Sequence, residues 1–386
     1  MSTIIRTRSP YFIRTPEETA STLSYFQIVI SIKQGVVGVL SCPANLGNFT
    51  LNKKPIGTED SVSFDISEIV NDFIEQKFNS NTTGGYTVAG QNQSVWVTVT
   101  TSARTSSGTI IGSATSTVYL AQEGYNTFKE GVNYTTQQNA LITSNYIQHN
   151  KSDLLYLPVN AENVNSVTYK LNGVTISSVN TPDSTDSKFK IKYLSFNTAS
   201  QQIDEIEINY GDETIRTIKV ELIDECKYSP FKIVFINRWG VLQDLFFFKK
   251  STQSLNTTRE NFNASIFYAN KVSYSLRDED CNIVNTFNTY STTDHVKKTF
   301  NSNGTETINL NTGFVNELMN TSFQELMVSE YVWLVEDSGT AFGSQNIVYP
   351  VNLKESSFTK KTGLNDKMIN YTMSFEKSFS IVNNIR

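Results

Sequence analysis

The chain has 386 residues, a formal net charge of −5 at pH 7 and only 18% charged residues, while aromatic residues reach 12%. Because the charge is mildly acidic and no Lys/Arg-rich run exists, we expect no nucleic-acid partner. Asn, Thr and Ser supply the polar character instead, and these residues favour strands, turns and caps over helix interiors. Length and composition therefore predict a mainly β chain of several tandem β-sandwich or β-barrel-like domains.

Cysteine spacing and hydropathy restrict the chemistry further. Cys42, Cys226 and Cys281 lie far apart and form no paired motif, so neither a disulfide framework nor a zinc site is expected. No apolar run approaches the ~18 residues of a membrane span, and no signal-peptide core follows the first residues. We therefore expect no cofactor, no metal, no membrane span and synthesis in a cytoplasm.

The N-terminal segment, residues 1–20, is predicted to be an extended arm. It contains Pro10 and Pro16 and shows little apolar periodicity. Such a segment has no evident core face of its own. We expect it to become ordered on a neighbouring subunit.

Residues 21–131 are predicted to form a β-rich domain that carries one helix. The apolar positions change from the strand period to the helical period at Ile66, and the resulting stripe predicts an amphipathic helix over about 65–78. Asp65 or Ser67 is placed to cap its first turn.

Residues 150–225 have the pattern of a small antiparallel β-sandwich, with short alternating strands separated by turn residues. Asn172 and Gly173 lie between two strand-like runs, and both tolerate the positive φ that a two-residue hairpin turn requires. Gly211 and Asp212 predict a second hairpin.

Residues 226–386 are predicted to form a second β-rich domain with one helix at about 312–328, which Thr312 can cap. This domain repeats the order of the first. Each has an aromatic-aliphatic strand, then a strand leading into a helix, then a tryptophan strand, at Trp96 and Trp333 respectively. The order favours a duplication with the sandwich inserted between the copies; the alternative is recurrence by chance.

No arrangement of reactive residues predicts catalysis. Neither His149 nor His295 lies at a metal-ligand spacing from a second candidate, and His295 is interpreted as a solvated loop residue. A polysaccharide depolymerase would need two carboxylates in one cleft. The acidic groups at 204–207, 224–225 and 278–280 are interpreted as solvated turns, so we predict that the chain is not an enzyme.

Aromatic residues provide the remaining signal. Three consecutive phenylalanines in one strand cannot all face one core, so one side must be covered by another domain or subunit, unless the strand is central and buried on both faces. The candidate interface residues are Phe246, Phe247, Phe248, Trp239, Tyr11 and Phe12.

Three stretches carry a family resemblance: 4–12, 226–251 and 365–376, the last followed by the terminal 381–386. Together they resemble uncharacterised structural proteins of tailed bacteriophages of marine bacteria and Bacteroidetes. The resemblance implies a virion protein of the tail, baseplate or neck that assembles with other virion proteins, and it implies no catalytic residue. By analogy with ring-forming tail proteins, a doubled domain implies a homo-oligomer, either a trimer or a hexamer ring. The alternative is a receptor-binding or fibre-attachment module whose middle domain binds a host glycan.

Overall fold

The structure is a computed structural model that describes residues 3–35, 43–57, 60–78, 85–88, 93–131, 140–160, 164–180, 191–211, 213–265, 274–277, 279, 283–287, 290–336, 347–363 and 368–382. The described chain is built from several sheets and two short α-helices. The prediction of a mainly β fold is confirmed.

The N-terminal part of the chain contains β1 (Thr3–Arg6), β2 (Phe12–Arg14), β3 (Tyr25–Gln34), β4 (Asn45–Lys53), β5 (Ser63–Asp65), α1 (Ser67–Asn71), β6 (Gly85–Val88), β7 (Ser94–Arg104), β8 (Ile110–Gln122) and a 3-10 turn at Phe128–Glu130. The N-terminal unit has one five-stranded sheet with the order β1-β8-β7-β3-β4. A two-stranded sheet, β2-β5, and the helix α1 cover one of its faces.

Residues 3–6 form a strand of this sheet. The prediction that residues 1–20 form an extended arm, ordered only on a neighbouring subunit, is therefore wrong for the described residues. Strand β1 pairs in parallel with β8 from Thr3↔Tyr119 to Arg6↔Gln122. Ile4 and Ile5 in β1 are buried, because they pack into two different apolar cores of the same chain.

Helix α1 is shorter than the predicted 65–78. The predicted cap residue Asp65 accepts hydrogen bonds from the backbone N–H and the hydroxyl of Ser67, at 3.0 and 2.7 Å. The helix ends at Asn71, and both Asn71 and Asp72 are weak helix formers that compete for backbone hydrogen bonds. Phe73 still packs on the core from the following turn, so the apolar stripe continued although the helix did not.

The middle unit is a two-layered sandwich. Its own strands are β9 (Tyr146–Asn150), β10 (Leu154–Asn160), β11 (Val164–Leu171), β12 (Val174–Asn180), β13 (Ile191–Asn197), β14 (Glu205–Tyr210) and β15 (Ile215–Ile223). A five-stranded sheet, β12-β11-β14-β15-β9, faces a three-stranded sheet, β10-β13-β6, whose third strand comes from the N-terminal part of the chain. The sandwich therefore exceeds the predicted 150–225.

The predicted Asn172-Gly173 hairpin is confirmed. It joins β11 to β12 with φ of 51° at Asn172 and 78° at Gly173. The hairpin predicted at Gly211 joins β14 to β15, with Glu213 at φ 67°; Asp212 lies outside the described residues.

The C-terminal unit contains β16 (Phe231–Ile236), β17 (Leu242–Phe247), β18 (Thr252–Asn263), β19 (Tyr274–Arg277), β20 (Ile283–Phe287), β21 (Lys297–Asn311), β22 (Val315–Asn316), a 3-10 turn at Glu317–Met319, α2 (Asn320–Val328), β23 (Val332–Glu336), β24 (Ile347–Leu353), β25 (Met368–Ile369) and β26 (Thr372–Lys377). Seven of these strands form one sheet with the order β17-β16-β23-β24-β26-β21-β18. Helix α2 packs on one face of this sheet.

Helix α2 begins later than the predicted residue 312. Thr312 does not cap it, because its buried hydroxyl accepts from the Tyr371 N–H at 3.0 Å and donates to the Gly313 carbonyl at 2.7 Å. Asn316 caps the preceding 3-10 turn instead, accepting from the Leu318 N–H at 3.0 Å.

Four strands in each of the N- and C-terminal units share one order, as a duplication requires; the duplication itself stays a prediction. The order β4-β3-β7-β8 matches β17-β16-β23-β24, and every neighbouring pair in both runs is antiparallel. Along the chain, α1 lies between β4 and β7 in the N-terminal unit, and α2 lies between β17 and β23 in the C-terminal unit. Trp96 in β7 and Trp333 in β23 belong to the same apolar cluster. Helices α1 and α2 pack into two other clusters, one in each unit.

Candidate functional site

The three units meet in one apolar cluster, which we call the central junction. All three tryptophans of the chain belong to it. Its buried members come from all three units: Ile4, Leu120, Leu141, Ile191, Tyr193, Val234, Ile236, Val241, Leu242, Trp333 and Val335, with Phe78, Trp96, Trp239 and Val348 packed against them. The two repeats therefore turn their helix-free faces toward a shared core.

A tight turn between β16 and β17 forms the polar edge of the junction. The buried Asn237 side chain donates to the Leu141 carbonyl at 2.8 Å and to Gln243 Oε1 at 3.0 Å. Its Oδ1 accepts from the Trp239 N–H at 2.9 Å. One amide thus holds the turn in shape and ties it to the middle unit.

The same turn approaches the end of β8 at backbone distance. The Tyr125 N–H donates to the Arg238 carbonyl at 2.9 Å. Gly240 has φ 77°, and a Cβ there would lie 2.8 Å from the carbonyl carbon of Glu123. A Cβ on Gly124 would lie 2.7 Å from the Arg238 carbonyl oxygen. Two glycines therefore allow the units to touch main chain to main chain.

Arginines complete this contact. The Arg6 guanidinium lies 4.0 Å from the Trp239 ring centroid and donates to Asn126 Oδ1 at 2.6 Å. Arg238 lies 5.0 Å from the same indole ring and forms an ion pair with Glu130. Trp239 is thus packed against two guanidiniums from different units, a geometry in which cation–π attraction is significant.

A carboxyl group is also buried here. Burial raises the pKa of Glu123 to about 7. Nearby, Arg8 forms an ion pair with Glu330 at 2.9 Å, linking the N-terminal segment to the residues after α2. The junction therefore contains charge pairs between distant parts of the chain.

The phenylalanine run lies inside the chain and not on an open surface, so Phe246, Phe247 and Phe248 are not interface residues for another subunit. Of the two expected coverings, another domain or another subunit, the structure shows the domain. Phe247 points to the α2 side, where its ring lies 6.4 Å from that of Phe323. Phe246 stacks on Phe248 at 5.9 Å and meets the edge of the His149 ring at 4.8 Å. The middle unit covers the second face, so the neighbouring domain that the run requires is in the same chain.

The other candidate interface residues are divided. Trp239 is half-buried in the junction, and Tyr11 is half-buried with its ring 5.8 Å from Tyr119. Phe12 is 61% exposed. Of the six candidates, Phe12 alone presents most of its side chain to solvent.

A buried polar cluster between the middle and C-terminal units escaped the sequence reasoning. Lys232 forms ion pairs with Asp153 at 2.9 Å and with Asp244 at 3.7 Å. Its ammonium also lies 5.5 Å from the Tyr156 ring centroid, and His149 Nε2 lies 3.4 Å from the Asp153 carbonyl. Lys232 is the single charged residue of β16 and Asp244 the single charged residue of β17, and this isolated charge in each strand was the missed signal.

Burial shifts the ionisation of this cluster. Burial raises the pKa of Asp244 to about 6, although Lys232 opposes the shift. Burial lowers the pKa of His149 to about 4. Burial alone would also lower the pKa of Lys232, but Asp244 and Asp153 outweigh it and hold that pKa above its ordinary value. A cavity of about 20 Å³ beside Asp244 has room for one water molecule.

Four of the acidic residues considered as catalytic carboxylates have structural partners. The Asn172 N–H donates to Asp204 at 2.9 Å, which supports the hairpin turn. The ion pairs are Glu207 with Lys170, Asp224 with Lys151, and Glu225 with Lys249. Asp278 and Asp280 lie outside the described residues.

Within the described ranges, no group of three or more His, Cys, Asp or Glu side chains is placed to hold a metal ion. Cys226, the cysteine that falls in those ranges, is an exposed free thiol, and His295 is exposed. No helix in the described part of the chain is both long and apolar enough to cross a membrane.

No family model matches the sequence, and no curated protein matches it either.

Proposed function

We propose that the chain is a non-enzymatic structural component of a tailed-phage virion, in the tail, baseplate or neck, that works by subunit assembly. The observation that carries the proposal is a long β-ribbon formed by β18 and β21 beyond the rest of the seven-stranded sheet. Pairing of β21 with β26 ends at Thr307, whereas its pairing with β18 continues to Lys297. All twelve residues of β18 are exposed.

Such a ribbon is poorly supported by its own chain. A two-stranded hairpin is marginally stable at best in water, so a long one gains stability by packing on a partner. Its exposed residues include Leu255, Phe262 and Phe300, which are 53%, 47% and 65% exposed. The rings of Phe262 and Phe300 lie 6.2 Å apart across the ribbon. This exposed apolar surface favours a protein-protein contact.

The stretches that resemble phage structural proteins support the same proposal by their positions. Arg6 of the first stretch contacts Trp239 of the second, and Phe247 of the second lies 5.8 Å from Phe375 of the third. The first contact joins the N-terminal unit to the C-terminal unit, and the second lies inside the C-terminal core. A multi-unit body with a shared core and a projecting ribbon has the properties of a particle building block.

The test is the location of the protein. An antibody raised against the purified chain is applied to purified phage particles that carry this sequence, followed by gold labelling in electron microscopy and quantitative mass spectrometry. We expect labelling at the tail, baseplate or neck, with a copy number that is a multiple of three. Particles that contain none of the chain would contradict the proposal.

A second candidate function is recognition of a host glycan. A shallow polar groove of about 330 Å³ lies on the C-terminal sheet, lined by Ser254, Asn256, Thr307, Asn309, Lys354, Glu355 and Ser374. The hydroxyl of the buried Thr307 has no hydrogen-bond partner within the described structure. Hydroxyl and amide groups of this kind recognise sugar hydroxyls. Binding on a glycan array that is lost in Lys354→Ala would favour this function.

A further inference from the structure

Strand β8 has a long backbone edge that no described strand covers. Its outer side pairs with β1 from Tyr119 to Gln122, and the described pairings continue no further toward Ile110. Residues 110–118 contain no charged residue and no proline, and most of them are exposed. Soluble proteins usually guard a free edge with charges, prolines or a covering segment, because it pairs readily with another strand. Strand β8 itself supplies neither of the first two guards, and one carboxylate from elsewhere in the chain lies close by, since a Cβ on Gly112 would be 3.9 Å from Glu18 Oε2.

The internal repeat indicates what such an edge receives. Strand β24 occupies in the C-terminal unit the place that β8 occupies in the N-terminal unit. The outer edge of β24 pairs antiparallel with β26, from Val351↔Lys377 to Leu353↔Phe375, and β21 and β18 follow. One copy of the repeat thus carries additional antiparallel strands at a position where the other copy carries four residues of β1.

Strand β18 has the complementary property. It is the last strand of its sheet, and its outer edge has no partner among the described strands. Residues 252–258 are uncharged, and the first charges along the strand are Arg259 and Glu260. Residues 252–258 of β18 therefore add no charge of their own to a contact with β8.

We propose that β18 of one chain adds antiparallel to the free edge of β8, residues 110–118, in a second copy of the same chain. This inference rests on the proposed assembly function and names its contact and partner. The two edges are different surfaces of one molecule, so the contact is head-to-tail and repeats from copy to copy. Such a contact closes into a ring when the rotation allows it, and otherwise continues as a filament.

Two double variants test the contact by placing lysines on one edge at a time. The first carries Ala114→Lys and Ser116→Lys on β8, and the second carries Leu255→Lys and Thr257→Lys on β18. All four side chains are exposed, so folding should be retained, which circular dichroism and thermal unfolding verify. A matched control carries Val174→Lys and Asn180→Lys on β12, which is also an edge strand and gains the same charge.

The readout is molar mass by light scattering over a range of concentrations. We expect an oligomer for the native chain and the β12 control, and monomers for each edge variant at concentrations at least ~10-fold above those that assemble the native chain. An equimolar mixture of the two edge variants retains one intact β8 edge and one intact β18 edge. It should therefore form a dimer and nothing larger.

Three results would overturn the inference: a monomeric native chain at every concentration, oligomers of both edge variants, or a mixture that stays monomeric. If only the β18 variant loses assembly, the contact joins two β18 strands and not β18 to β8. None of these results bears on whether the chain is present in particles. Failure of this contact is therefore distinguishable from failure of the proposed function.

Discussion

The guanidinium of Arg6 lies 4.0 Å from the ring centroid of Trp239 and joins the first strand of the chain to the turn that opens its C-terminal unit. Arg6 is 3% exposed, so the contact is shielded from water. A cation–π pair is stronger when it is desolvated, reaching ~2 kcal/mol or more. The contact therefore contributes to the stability of the whole three-unit body.

Replacing Trp239 by Ala is expected to lower the free energy of unfolding by ~2–4 kcal/mol, because it removes apolar contacts and the face on which two guanidiniums lie. The measurement is urea unfolding followed by circular dichroism. Phe128→Ala is the control, since Phe128 is fully exposed, and it should change stability by less than ~0.5 kcal/mol. A double-mutant cycle with Arg6→Ala should give a coupling of ~0.5–2 kcal/mol; additive effects would contradict the pairing.

Gly240→Ala is expected to destabilise the chain more than Gly173→Ala. Both glycines have nearly the same positive φ, 77° and 78°, so both substitutions carry the same backbone penalty of ~1 kcal/mol. A Cβ at Gly173 meets nothing within 4 Å, whereas one at Gly240 would lie 2.8–2.9 Å from the Glu123 backbone. The difference in unfolding free energy measures the close approach of the two units. Equal losses would show that the turn can move away at no cost.

Sequence patterns located elements whose partners are local. The change of apolar period at Ile66 located the start of α1, and the Asn172-Gly173 turn was recognisable because a two-residue hairpin needs positive φ at both positions. The Arg6–Trp239 contact was beyond reach, because neither residue carries information about a partner so distant in the chain. Lys232 and Asp244 were missed for a related reason. A charged residue in a strand indicates solvent unless its counter-charge is known, and Asp153, the nearest counter-charge, comes from another unit.

Phe247→Ala is expected to lower the free energy of unfolding by ~3–5 kcal/mol, because the ring is fully buried between Phe323 and Phe375. Phe12→Ala should change it by less than ~0.5 kcal/mol, since the side chain is 61% exposed. Thermal and urea unfolding of the purified variants provide the comparison. If Phe12→Ala weakens assembly while stability is unchanged, Phe12 contributes to a subunit contact. A large stability loss in Phe12→Ala would contradict its placement.

His149 and Asp244 should give opposite pH dependences of stability. The pKa of His149 is lowered to about 4 in the folded chain, so between about pH 4 and 6.5 the unfolded state binds the extra proton, and acidification destabilises. The pKa of Asp244 is raised to about 6, so between about pH 4 and 6 the folded state binds the extra proton, and acidification stabilises. In the native chain the two contributions offset each other.

Variants that remove one group at a time should separate these contributions. His149→Phe keeps an aromatic ring against Phe246 but cannot titrate, so its stability relative to the native chain should increase as the pH falls from 6.5 to 4. Asp244→Asn cannot take up a proton, so its relative stability should decrease over the same interval. The measurement is the free energy of urea unfolding at half-unit pH steps, and each difference should reach a few kcal/mol. Parallel pH profiles for both variants and the native chain would show that neither group is buried as described.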